Sequence, residues 1–337
     1  MNRRLFLKRS AALTAGIPLG QGLTGRLEAD SVGLGRGPGI DGARLHADLE
    51  ALRRFGGTPD GGTHRVAYSD EDLGGREWVA SLMREAGLET WVDPAGNLVG
   101  ALQGTDPDLP PLGVGSHIDT VPFGGSYDGT IGVLGAVEIV RSLRDGGLQL
   151  RHPLRVYVFQ NEEGGKTGSR LLIGAVDPSE LQVETASGFT IGEGIRRVGG
   201  DPEDLEACRL RPGDLAAFLE LHIEQGATLE REGAPIGVVE GIVGIRRWFV
   251  TVTGEQNHAG TTPMPLRRDA LVTASRLVSA VHETALAMDG RPVATVGRME
   301  VEPGAISHAP EEFTPPEQVA AGVEVLMETL LRADEDL

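Results

Sequence analysis

Three short apolar runs, Leu112 to His117, Leu154 to Phe159 and Leu219 to Ile223, each spill into a segment carrying glycine and carboxylates, and the first and third also carry a histidine. That repetition constrains the fold more than any other feature of the chain. From Asp41 onward helical and strand periods alternate, and an apolar helical pattern from Gly132 to Leu143 follows the first of these segments. Such alternation predicts an α/β domain with a mixed, mostly parallel sheet flanked by helices, in which ligands sit beyond the carboxyl ends of the strands. Upstream, Ala43 to Phe55 reads as a helix ended by Gly56-Gly57. Ser69 and Asp72 read as a capping box opening a second helix, which Gly87 closes.

After the third run the pattern changes. Ile236 to Val252 is rich in valine and isoleucine, Arg267 to Thr284 is helical, and Val293 to Val301 is again strand-like. That is β-α-β, the first half of a ferredoxin-like unit. The second half does not follow: Glu302-Pro303-Gly304 leads to Ile306-Ser307-His308-Ala309-Pro310 and a last helix from Pro316 to Ala333.

Charge narrows the partners. With 49 acidic against 31 basic residues the net charge is −18, which disfavours nucleic acid or an anionic membrane, since both need a basic face. No window approaches the roughly 18 uninterrupted apolar residues of a membrane span. Arg3-Arg4-Leu5-Phe6-Leu7-Lys8, followed by the mildly apolar Ala11 to Gly20, matches a twin-arginine leader over residues 1–39. It predicts export to the periplasm or beyond; the other reading is an amphipathic N-terminal helix on a cytoplasmic protein. The single Cys208 can form no intramolecular disulfide.

The chemistry-bearing residues cluster after the runs. His117 and Asp119 stand two apart at a strand end, so their side chains share a face and Asp119 can accept the distal imidazole N–H. Asp128 follows in a glycine-rich loop beside a helix start, where a carboxylate can bridge two cations. Glu162 and Glu163 follow the second run and project in different directions, so one can ligate a metal while the other takes a proton from an attacking water. Singly, a His-x-Asp reads as a surface pair, Glu-Glu as a solvated turn, and His222 as a packed core residue. Together, His117, Asp128, Glu163 and His222 make a mixed nitrogen and oxygen set suited to zinc, manganese or cobalt. Glu224 and Gln225 lie just past His222. In Asn257-His258-Ala259-Gly260, His258 can offer a donor to a developing oxyanion.

The segments GSHIDTVPFGG, FQNEEGGKTGS, LELHIEQGATLE, GIVGIRRW and NHAGTTPM together resemble the amidase/hydantoinase/carbamoylase family of the aminoacylase-like zinc peptidase superfamily. The resemblance implies a metallopeptidase-like catalytic domain, 40–232 with 305–337, and a small lid and dimerisation domain over 233–304. It implies a zinc- or manganese-type amidohydrolase holding one or two divalent ions (zinc, manganese, cobalt or nickel). His117, Asp128 and His222 would bind one ion, and Asp128 and Glu163 would contribute to the second. Glu162 would be the general base and Asp119 the partner of His117, while His258, Asn257 and Gln225 would meet the substrate. That substrate would be a small linear ureido acid or amide: an N-carbamoyl amino acid, allantoate or 3-ureidopropionate. From about Ala305 the chain departs from the family, which implies an internal deletion removing half of the lid, the last ligand of the second ion and the substrate carboxylate clamp. A truncated lid weakens the expected homodimer. His308 is a candidate replacement ligand. The rival readings are a non-catalytic metal- or ligand-binding remnant, and a dipeptidase or aminoacylase, which the histidine in LHIEQG disfavours.

Overall fold

The computed structural model describes residues 39–304 except Arg291, together with 323–325 and 327. The expected leader up to residue 38, His308 and most of the last expected helix lie outside these residues; 323–325 and 327 are helical. The chain divides into two units, one ending at Val238 and one beginning at Val239.

In the first unit, α1 (Gly42–Leu52) starts at Asp41, whose carboxylate accepts the Arg44 N–H. Helix α2 (Asp70–Ala86) is capped by Ser69 and closed by Gly87 at a φ of 101°, a left-handed geometry that glycine adopts without steric penalty. Asp72 completes only part of the expected box. Its carboxylate accepts from the Tyr68 N–H at 2.8 Å, one residue earlier than a capping box requires.

Strands β1 (Glu89–Val92), β2 (Leu98–Leu102), β3 (Leu112–His117), β4 (Leu154–Phe159) and β5 (Ala217–Leu219) form one sheet in the order β1-β2-β4-β3-β5. The pairings β1 with β2 and β2 with β4 are antiparallel, whereas β3 pairs in parallel with β4 and β5. The sheet is therefore mixed and mostly parallel as expected: four of its five strands run the same way and β2 alone is reversed. Helix α3 (Thr130–Asp145) packs with α1 and α2 over the sheet, and Val79, Met83, Val133, Val137, Val156 and Val158 fill the core between them. Two short helices, α4 (Thr167–Leu172) and α5 (Ile191–Arg197), follow β4, and α6 (Thr228–Glu232) follows β5.

The third strand was expected over Leu219 to Ile223 and lies instead at Ala217–Leu219. Its register is set by the Leu112–Val114 stretch of β3, and past Leu219 the chain leaves that ladder, with the Glu220 carboxylate accepting from the Ser116 hydroxyl.

In the second unit α7 (Ala270–Ala287) forms, with Asp269 capping it through the Val272 N–H. Among the described residues it is the one part of the expected β-α-β unit that does. Ile236 to Val252 and Val293 to Val301 contain no strand; Ile242, Phe249 and Val293 are 89, 101 and 91% exposed. A ladder needs a neighbouring chain and a face to bury, and β-branched composition cannot substitute for either.

Candidate metal centre

Because β3, β4 and β5 run parallel, their carboxyl ends open on one edge of the sheet. His117 is the last residue of β3, opposite Phe159 at the end of β4, and Glu162 and His222 each follow three residues after their strands. Asp128 precedes Gly129, the N-cap of α3. One ligand atom each from His117, Asp128 and His222 falls within 4.8 Å of the others.

The proton inventory of this trio decides its chemistry. His117 Nδ1 lies 2.9 Å from the Asp119 carbonyl and His222 Nδ1 lies 3.0 Å from the Ile223 carbonyl. A carbonyl only accepts, so each Nδ1 carries the proton and each Nε2 of the neutral rings is a bare lone pair. Both face Asp128 Oδ1, at 4.0 Å from His117 and 3.0 Å from His222. That oxygen is buried and has no hydrogen-bond donor. With the rings neutral these are three acceptors turned on one another, which repel unless a proton or a metal ion lies between them. A tetrahedral zinc, with ligands at about 2.0–2.1 Å, holds its donor atoms about 3.3 Å apart, so the donor set fits a divalent ion. Without an ion the field favours a proton instead: burial disfavours the charged form of His117, but Asp119 and Glu162 outweigh burial and raise its pKa to about 9, so an ion that binds here displaces a proton from Nε2.

Asp119 is placed differently from expectation. Its main-chain carbonyl, rather than its carboxylate, makes the short contact with His117, and Oδ1 stands 3.6 Å from Nδ1. The carboxylate instead accepts the N–H groups of Glu162 at 3.2 Å and Glu163 at 3.1 Å. Asp119 thereby ties the β4 loop to the β3 loop. Glu162 Oε2 reaches to 3.8 Å from His117 Nε2, and its Oε1 pairs with Lys166 Nζ at 3.0 Å. Glu163 stays outside the ligand trio, with its carboxyl pKa raised by burial.

Gln225 also departs from the sequence reading. Its Nε2 donates to Asp128 Oδ2 at 2.7 Å, so it orients a candidate ligand. Four of the five described non-glycine residues at positive φ sit in these loops: Phe123, Asn161, Lys166 and Gln225 at 56, 47, 58 and 54°. Each left-handed residue costs about 1 kcal/mol or more, and such strain persists where the surroundings fix the loop for function. Gly129, at a φ of +66°, has no side chain because a Cβ there would lie 2.4 Å from His117 Nε2.

Residues 113–332 match the model of peptidase family M20/M25/M40. The chain belongs to that family. Its M20/M25/M40 relatives include an N-carbamoyl-L-amino acid amidohydrolase of Geobacillus stearothermophilus, 41% identical over 81% of this chain and 68% of the relative. An allantoate amidohydrolase of Escherichia coli strain K12 is 39% identical over 80% of this chain and 67% of the relative. The crystal structure of an amidase of the hydantoinase/carbamoylase family from Burkholderia multivorans superposes with a TM-score of 0.66 at 38% identity, covering 80% of this chain and 66% of that one. The chain thus spans about two thirds of the length of these family members.

The second unit carries His258 and Asn257, both exposed. His258 Nδ1 accepts the Gly260 and Thr261 N–H groups, each at 3.1 Å, which leaves the proton of the neutral ring on Nε2 as an available donor. Lys166 is the site residue that sequence reasoning passed over. A signal for it exists, since the chain has only two lysines, Lys8 and Lys166.

Proposed function

We propose that this chain hydrolyses a C–N bond in a small linear ureido acid or amide, the chemistry named for its amidohydrolase relatives, with N-carbamoyl amino acids, allantoate and 3-ureidopropionate as the substrate class. The observation that carries the reading is the meeting of His117 Nε2, His222 Nε2 and Asp128 Oδ1 with no hydrogen bond to Asp128 Oδ1, beside the carboxylate of Glu162. These three residues would hold a divalent ion, which when bound polarises a carbonyl and acidifies water. Glu162 Oε2 takes a proton from the attacking water as its oxygen joins the carbonyl carbon. As the C–N bond breaks, Glu162 returns that proton to the departing nitrogen, leaving an amine with a carbamic acid from a ureido group or a carboxylic acid from an amide.

Glu163 and Asp128 are the candidates for a second ion, but Asp128 Oδ2 is already engaged by Gln225, which favours one tightly held ion per chain. We further propose that the small domain is incomplete, in keeping with its strandless, exposed apolar segments, and that the twin-arginine segment directs export. No helix among the described residues is long and apolar enough to cross a membrane. Replacing Arg3-Arg4 by Lys-Lys should stop export; continued accumulation outside the cytoplasm would remove that reading.

The central test loads the purified chain with zinc or manganese and offers N-carbamoyl amino acids, allantoate and 3-ureidopropionate. Turnover of one class, lost in Glu162→Gln at unchanged metal content, is the expected result. A chain that holds its metal and hydrolyses none of them is a binding remnant instead.

A further inference from the structure

Glu162 is held at more points than a solvent-facing glutamate requires. Its N–H donates to Asp119 Oδ1 at 3.2 Å, and its carbonyl accepts the N–H groups of Gly165 at 3.2 Å and Lys166 at 2.7 Å. Its side chain is then divided between two neighbours: Oε1 meets Lys166 Nζ at 3.0 Å, while Oε2 faces His117 Nε2 at 3.8 Å. Lys166 contributes both a main-chain and a side-chain contact to the same residue, and it does so from a left-handed φ of 58° as the N-cap of α4.

Stability does not account for this arrangement. The lysine side chain is 62% exposed, and exposed ion pairs are screened and contribute little to folding. Composition makes the placement more telling. Of 31 basic residues, only Lys8 and Lys166 are lysines, so a chain that meets nearly every other basic need with arginine places a lysine four residues after Glu162. The chemistry of the two cations differs in the relevant way. An ammonium is a compact point charge that can engage one carboxylate oxygen and leave the other open, whereas a guanidinium fork tends to take both.

We propose that Lys166 is a positioning residue for the general base: it anchors Glu162 Oε1 so that Oε2 alone is presented to the metal side of the site. The inference rests on the hydrolytic role given to Glu162 above, and deepens it by naming the group that sets the carboxylate's direction. An untethered glutamate samples several side-chain rotamers, most of which turn Oε2 away from His117. The anchor therefore acts on kcat, through the fraction of chains in which the base is aimed, and leaves substrate affinity alone.

The scarcity of lysine supplies a readout independent of turnover. Zinc-loaded protein labelled with ¹³C at lysine Cε yields two side-chain resonances, and the one absent from Lys166→Arg is Lys166. In Glu162→Gln that resonance should move to the position of a solvated lysine. Lys166→Met should lower kcat by ~10-fold, less than the ~10²–10⁴-fold of the base itself, with KM and zinc content unchanged and partial recovery in Lys166→Arg. A Lys166 resonance indifferent to Glu162→Gln overturns the proposal, as does a Lys166→Met enzyme that loses KM and keeps kcat. If Lys166→Met does not fold, the labelled Glu162→Gln comparison still decides. If the wild-type chain hydrolyses no ureido acid, the functional reading fails while the resonance test continues to report whether Lys166 holds Glu162.

Discussion

His222 Nε2 and Asp128 Oδ1 stand 3.0 Å apart without a hydrogen bond between them, and in the neutral ring the His222 proton is held at Nδ1 by the Ile223 carbonyl. A pair like this is repulsive until a cation joins it, so loading should stabilise the fold. An ion at 100 times its dissociation constant adds about 2.7 kcal/mol, visible as a rise in the urea midpoint that a chelator reverses. His222→Ala should remove most of that increment and lower the metal found by elemental analysis. An unchanged metal count would make His222 a structural residue.

Gly129 and His117 give a second, steric prediction. A Cβ on residue 129 would fall 2.4 Å from His117 Nε2, and the φ of +66° disfavours any L side chain. Gly129→Ala should therefore destabilise the chain by about 1–3 kcal/mol and push the ring out of the ligand trio. The measurement is metal content beside the denaturation midpoint. Full occupancy with only the stability loss would show that the ring has room to yield.

How far the chain could be read without coordinates depends on where each contact partner lies. The bounds of β3 and β4 were legible because both strands are apolar runs ending at a loop rich in polar residues and glycine. The start of β5 was not, because its register belongs to β3 rather than to its own composition. Val293 to Val301 shows the same limit: a β-branched pattern states a preference that only a partner strand realises. In the site, the sequence grouped His117, Asp128 and His222 correctly as near neighbours. It did not show the partners that Asp119 and Gln225 take, because main-chain N–H and carbonyl groups and the second oxygen of Asp128 leave no mark on a residue pattern.

Asp119 supports a prediction through those main-chain donors. Its side chain is 2% exposed and accepts from both Glu162 and Glu163. Asp119→Ala leaves the two N–H groups without their acceptor, at about 1–3 kcal/mol for an unsatisfied buried group. Asp119→Asn keeps one oxygen and should fall between wild type and alanine in urea unfolding. Equal stability of the two variants would mean that the β4 loop finds other acceptors.

Asp72 sets a pH dependence away from the metal centre. Burial raises its carboxyl pKa from 3.8 to about 6, against the opposing charge of Arg76. Between those values the folded chain holds a proton that the unfolded chain has released, so this group favours folding at low pH and its contribution declines as pH rises through 6. The shift corresponds to about 3 kcal/mol across the window. Asparagine in its place still offers an oxygen to the Tyr68 N–H but does not titrate. Relative to Asp72→Asn, the wild type should lose unfolding free energy between about pH 4 and pH 6.5, with the steepest change near pH 5. Parallel stability curves for the two proteins across that range would show that Arg76 compensates the buried charge in full.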